Sequence, residues 1–195
     1  MKTNRIIGTV ALAGLALALA GCVVSSVYPF YFEKDVVFAP ALLGDWTTAK
    51  EHWKFERQGE KAYRITYTEC EKSSVMQAHL FQLRGQKFLD ILGPEPGDYG
   101  RIPATPSHVL LRVVQTSPTL ELVPLDYDWL GGLLEKHPKA IRHHIVHAGG
   151  DKRLVLTADT AELQRFVVKH LKTEAAWTWN ESLELKSEPA VSPPH

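Results

Sequence analysis

Between Leu43 and Leu125 the chain repeats one pattern: short runs in which apolar and polar residues alternate, separated by polar turns. Alternation at period two places one set of side chains on each face of a strand. It predicts strands near residues 43–46, 52–57, 62–70, 75–83, 87–92, 108–115 and 120–125. Trp53 and Phe55 share one face of the second, and Tyr63, Ile65 and Tyr67 one face of the third. Strands this close together, joined by short polar turns, specify an antiparallel meander. After Leu125 the period changes. Apolar residues at 129, 130, 133 and 134 mark one face of a helix, with Asp126 as its N-cap and Pro138 as its stop. Gly131-Gly132 weaken that helix by about 1 kcal/mol each relative to alanine. Residues 141–148 fit neither period, and Gly149-Gly150-Asp151 turn into a strand at 154–156. Asp159 and Glu162 have the spacing of a capping box. They precede a helix with Leu163, Phe166, Val167 and Leu171 on one face, ending near Lys172. Trp177 and Trp179 share a face in a last extended piece, with Leu183 and Leu185 in line. The fold class is α+β, a β-meander with two helices in its second half.

The N-terminus has a different character. Lys2 and Arg5 precede an apolar run of 15 residues, Ile6 to Ala20, which ends in Leu19-Ala20-Gly21-Cys22. A membrane-spanning helix needs about 20 residues. A positive start, an apolar core and small residues before a cleavage point describe a secretory signal. The closing four residues resemble the lipobox of bacterial lipoproteins. That resemblance implies cleavage after Gly21 and lipidation of Cys22, with palmitate among the acyl chains. Val23 in place of Asp implies the periplasmic face of the outer membrane, if the host is Gram-negative. The expected organisation is a signal peptide at 1–21, a lipidated tether at 22–35, one β-rich domain at 36–185 and a disordered tail at 186–195. The tether carries Tyr28, Phe30, Tyr31 and Phe32, which suit either packing on the domain or contact with lipid.

Composition narrows the function. The chain has 22 basic and 22 acidic residues. Loss of Lys2 and Arg5 with the signal leaves 20 basic residues, with no electrostatic footprint for nucleic acid. The only cysteines are Cys22 and Cys70. A lipidated Cys22 leaves Cys70 unpaired, expected as a small buried or half-buried strand residue.

Gly44-Asp45-Trp46 at the head of the meander resembles the Gly-x-Trp opening of lipocalins, implying a partial or small lipocalin-like barrel. A second likeness is to a group of uncharacterised bacterial lipoproteins. It rests on Pro40 to Trp46, on Leu122-Val123-Pro124-Leu125-Asp126 with Trp129-Leu130, and on Leu156-Thr157-Ala158 through Glu162-Leu163-Gln164. It spans most of 36–172 and implies no activity.

The candidate chemistry is sparse. No nucleophile elbow, His-Glu-x-x-His pair, P-loop or dinucleotide fingerprint is present. Gly93 to Ser107 holds four prolines and three glycines and is long for a connection inside a compact domain, which suits a rim over a cavity. His108 and Arg112 follow it on one face of a strand. With Trp46 and Tyr99 they form the candidate ligand-binding set. His143, His144 and His147 have a spacing that suits zinc on a helix, whereas Ile145 and Val146 favour extended backbone. Asp126 and Asp128 read as helix-start residues. The expected function is a lipid-anchored envelope protein that binds a small apolar ligand or a protein partner, with no cofactor. Its alternatives are an envelope hydrolase or metal enzyme using His108 or the 143–147 histidines, and a purely structural lipoprotein.

Overall fold

The computed structural model describes residues 24–93, 107–148, 151–178 and 182–187. The signal, Cys22, Tyr99, Trp179 and nearly all of the expected tail and the 93–107 loop lie outside these. Eleven strands occur in the described residues: β1 (Ser25–Ser26), β2 (Gly44–Thr47), β3 (Glu51–Gln58), β4 (Ala62–Glu69), β5 (Lys72–Leu83), β6 (Gln86–Leu92), β7 (His108–Gln115), β8 (Thr119–Pro124), β9 (His143–Ala148), β10 (Asp151–Leu156) and β11 (Leu183–Ser187). Helix α1 covers Tyr127–Lys136 and helix α2 Thr160–His170.

Strands β2 to β8 form the expected meander. Strand β11 then inserts between β8 and β2, and β6 pairs with β7, so eight strands close into an antiparallel barrel. The fold is thus α+β, a lipocalin-like barrel with two helices.

Alternation decides what fills the barrel. Trp46, Trp53, Phe55, Tyr63, Ile65 and Tyr67 point inward from β2, β3 and β4, and Ala78, Leu80, Leu89, Ile91, Leu111, Leu122 and Leu185 meet them. Trp53 packs edge-on to Tyr67, with ring centroids 4.9 Å apart. Gly44 opens β2 at φ +120, a backbone region that side chains with a Cβ rarely adopt. Two residues on, the Trp46 indole N–H donates to the Leu42 carbonyl at 2.9 Å. The Gly-x-Trp triplet therefore sets a backbone bend and fills one part of the barrel.

A second core lies outside the barrel. Phe81, Leu83, Phe88, Leu110 and Val123 face outward from β5 to β8 and are covered by α1, α2, the β9–β10 hairpin and residues 24–30. Strand β1 pairs with the His108 end of β7 on one side and runs parallel to β10 on the other. Val24 and Phe30 are buried. From Val24 onward the expected tether is thus part of the domain, packed on it.

Several local expectations change. Cys70 is exposed and sits in the β4–β5 turn. Cys70 and Glu71 both have positive φ, and β4 and β5 pair as far as Glu69↔Lys72, so the turn has two residues at its centre. This tighter turn starts β5 at Lys72 and takes Cys70 out of the strand. Residues 143–148 form a strand, in keeping with the β-branched pair Ile145-Val146. Asp126 caps α1 by accepting from the Trp129 N–H at 2.6 Å. A Cβ at Gly131 or Gly132 would meet nothing within 4 Å, so neither glycine serves close packing. Asp159 caps α2 through the Glu162 N–H at 2.9 Å. The Glu162 carboxylate turns instead to Arg142, accepting from its backbone N–H at 3.0 Å and its Nε at 2.6 Å.

Candidate functional site

Buried polar groups pair in two places: inside the barrel, where Glu51 accepts from the Trp53 indole N–H and the Tyr67 hydroxyl, each at 3.3 Å, and between the barrel and its outer layer. Strand β6 is apolar on both faces, with Phe88 outward and Leu89 and Ile91 inward, because both faces are covered. Asp90 is the exception. It points outward and is 1% exposed. A carboxylate so buried needs partners, and two are present. The Phe30 N–H donates to Asp90 Oδ2 at 2.8 Å. His108 Nδ1 lies 2.6 Å from Asp90 Oδ1. With Nδ1–H toward the carboxylate, Nε2 is the ring nitrogen left for any other partner.

Beside this pair, His79 is the cross-strand partner of Asp90. Its Nδ1 lies 2.9 Å from the Tyr31 hydroxyl. Burial, then the charges of Asp90 and Glu33, push the Tyr31 phenol up to about 12, so it stays protonated and donates. Burial pushes His79 below its ordinary 6.5, in keeping with a neutral acceptor ring. The cluster thus holds the N-terminal segment to the barrel at two neighbouring points, Phe30 and Tyr31.

An aspartate-held imidazole is the arrangement of a general base. A hydrolase would also need a nucleophile on Nε2. Ser26 pairs with His108 across β1 and β7. Its hydroxyl, however, lies 3.4 Å from the Leu156 carbonyl and accepts from the Tyr28 N–H at 3.3 Å. Among the described residues, what the pair does is clamp the N-terminal segment through the Phe30 N–H.

The three described residues of the candidate ligand set, Trp46, His108 and Arg112, do not converge. Trp46 is inside the barrel, whereas His108 and Arg112 point outward from β7, since inward Val109, Leu111 and Val113 alternate with them. Arg112 donates to the Leu171 carbonyl at 3.3 Å and to Gln86 Oε1 at 3.1 Å, and its guanidinium lies 5.5 Å from the Trp177 ring centroid. Burial lowers its pKa. Both residues therefore join the two layers, a placement that neither a cavity wall nor a wet surface describes. Gly93 and Ser107 are tied by an N–H to carbonyl bond of 3.0 Å, so the ends of the 93–107 segment meet where β6 and β7 pair. On β9, His143 and His147 share a face and His144 takes the other. Among the described residues no three His, Cys, Asp or Glu side chains come together to hold a metal.

Open grooves lie on the surface of the described residues, and two of them bear on the site. One, about 350 Å³, runs past Glu33, Gln58, Glu60, Lys61 and His79. The other, about 590 Å³, lies at the C-terminal ends of the helices beside Lys136, His137, Lys139 and Lys169. Its basic residues complement the negative ends of both helix dipoles. Neither groove is lined by the barrel's interior residues.

Asp90 had a signal in the sequence: a single acid inside a strand that is apolar on both faces. His108 was among the sequence candidates, but its pairing with Asp90 and Phe30 had no signal, because the three lie in separate parts of the chain. Compared with protein-family profiles, curated proteins and solved structures, the chain matches none.

Proposed function

We propose that this is a lipid-anchored protein of the bacterial cell envelope that uses the outside of its barrel to bind a protein partner. The observation behind this reading is the filled interior. Trp53, Tyr63, Ile65, Leu80 and Leu89 are each 0% exposed, and Trp46 and Tyr67 nearly so. A barrel that carries a small apolar ligand keeps its interior open; here side chains occupy that space. The grooves and the exposed apolar residues lie outside it.

The anchor part of the reading rests on Lys2, Arg5, the apolar run and Leu19-Ala20-Gly21-Cys22. Two or more acyl chains on one cysteine give a firm attachment, because each buried methylene contributes about 0.8 kcal/mol. Cys22→Ala is expected to abolish palmitate labelling and partitioning into the detergent phase. Unchanged partitioning would mean that the apolar run itself holds the protein. Native mass spectrometry of the purified full-length lipoprotein tests the other part. The expected mass is that of the lipidated chain alone, and a co-purifying small apolar molecule would overturn binding on the outside.

A further inference from the structure

We infer that Val27, Tyr28 and Phe32 form a membrane-docking edge, so that the domain lies on the bilayer in one fixed orientation instead of swinging on a linker. This rests on the lipid-anchor reading of Cys22 and goes beyond it.

Six large apolar residues are exposed among the described residues. Three of them, Val27 at 39%, Tyr28 at 49% and Phe32 at 40%, fall within six consecutive positions. The other three, Val75, Val114 and Val146, are far from one another in the chain. The cluster is therefore local, and its place next to the anchor names its occupant. Consecutive Cα atoms are about 3.8 Å apart, so Cys22 lies within roughly 8 Å of Val24 and roughly 19 Å of Val27.

Val24 cannot pay out chain to lengthen that span. It is buried at 3% in the outer core. Ser25 and Ser26 are held between β7 and β10. The Val27 N–H donates to the Leu156 carbonyl at 3.0 Å, and Phe30 is fixed to Asp90. Whatever surface surrounds Val24 is thus held at the lipid that Cys22 carries.

The chemistry of the edge suits an interface. Tyr28 offers a ring with a polar tip, the form enriched where lipid meets water. The Lys34 ammonium lies 5.5 Å from the Phe32 ring centroid and brings a cation beside the phosphates. Of the two nearby acids, Asp35 is turned inward, accepting from Gln164 Nε2 at 2.9 Å, whereas Glu33 is exposed beside Lys34 and lines the neighbouring groove. The α2 N-terminus belongs to the same side, since Thr160 donates to the Pro29 carbonyl at 2.8 Å.

The test uses the full-length lipidated protein in vesicles of phosphatidylethanolamine and phosphatidylglycerol. An environment-sensitive fluorophore is placed at Val27→Cys, Tyr28→Cys or Phe32→Cys in a Cys70→Asn background, asparagine being tolerant of the positive φ there. The control is the same fluorophore on the native Cys70, which is exposed. Side chains seated in the headgroup boundary are expected to give blue-shifted emission and about threefold stronger quenching by brominated lipid than Cys70 gives. Three results overturn the inference. Quenching equal to that at Cys70 in vesicles that carry the protein rejects the docking edge and leaves the anchor standing. A blue shift without quenching by lipid assigns the edge to a second copy or another protein. Wild-type protein that fails to float with the vesicles rejects the anchor, and the docking edge with it. Circular dichroism of each labelled protein, matching the wild type, shows that the fold is kept.

Discussion

The two cores of this molecule are built on different terms. The barrel interior comes mostly from neighbouring hairpins and is filled with apolar and aromatic side chains, its one buried carboxylate among the described residues, Glu51, being bonded to Trp53 and Tyr67 from the same two strands. The outer layer is assembled from residues 24–30, β5 to β8, the β9–β10 hairpin and both helices, parts far apart in the chain. It also carries the polar groups that tie it down: Tyr31, His79, Asp90, His108 and Arg112. A meander can be sealed by non-directional burial, because each strand's neighbour is already beside it. Distant segments that must meet in one register gain from directional bonds, and buried polar partners supply that specificity. The barrel is thus the scaffold, and the outer layer is where the N-terminal segment is held and, on the reading proposed above, the anchor is attached.

The largest effect should come from the barrel. Trp53→Ala removes a fully buried indole and is expected to cost about 3–5 kcal/mol in denaturant unfolding. A loss below about 1 kcal/mol would mean that the interior is loosely filled, and would reopen it as a ligand site. Asp90→Ala should be smaller and differently placed. It strands the Phe30 N–H and His108, costing about 1–3 kcal/mol. Hydrogen exchange should quicken at the Phe30 amide while the β3–β4 amides stay protected. Equal quickening in both regions would show that the two cores are one cooperative unit.

The smallest effect is one of pH. Burial holds His79 below its ordinary 6.5, so the unfolded chain binds a proton there more readily than the folded one. Its contribution is neutral above 6.5. Stability then falls as the pH drops from 6.5, and levels off below the lowered folded-state value. His170, pushed down by burial and then by Lys169, acts in the same direction. His79→Gln should flatten part of this acid slope in thermal unfolding across pH 5–7, where an unfolded histidine titrates near ~6.5. An unchanged slope would remove His79 from the account.

By itself the sequence determined the hairpins, the helix caps and which side chains share a strand face. Period-two alternation put Trp53 with Phe55, and Tyr63 with Ile65 and Tyr67, on common faces that the closed barrel turns inward and fills, and Asp126 and Asp159 lie at the helix starts where a short acidic side chain can cap free N–H groups. These features depend on residues within a few positions of one another, so they are written locally. Tertiary structure alone decided three things. The last strand, β11, closes the barrel between β8 and β2, a choice of neighbours that its own five residues do not encode. His108 and Arg112 share a face, as their spacing requires, but only packing set that face between the two layers. Glu162 stands where a capping box would use it, yet Arg142, 20 residues earlier in the chain, offers it stronger charged donors. In each case the deciding partner is remote in sequence, and alternation carries no information about which remote surface will cover a face.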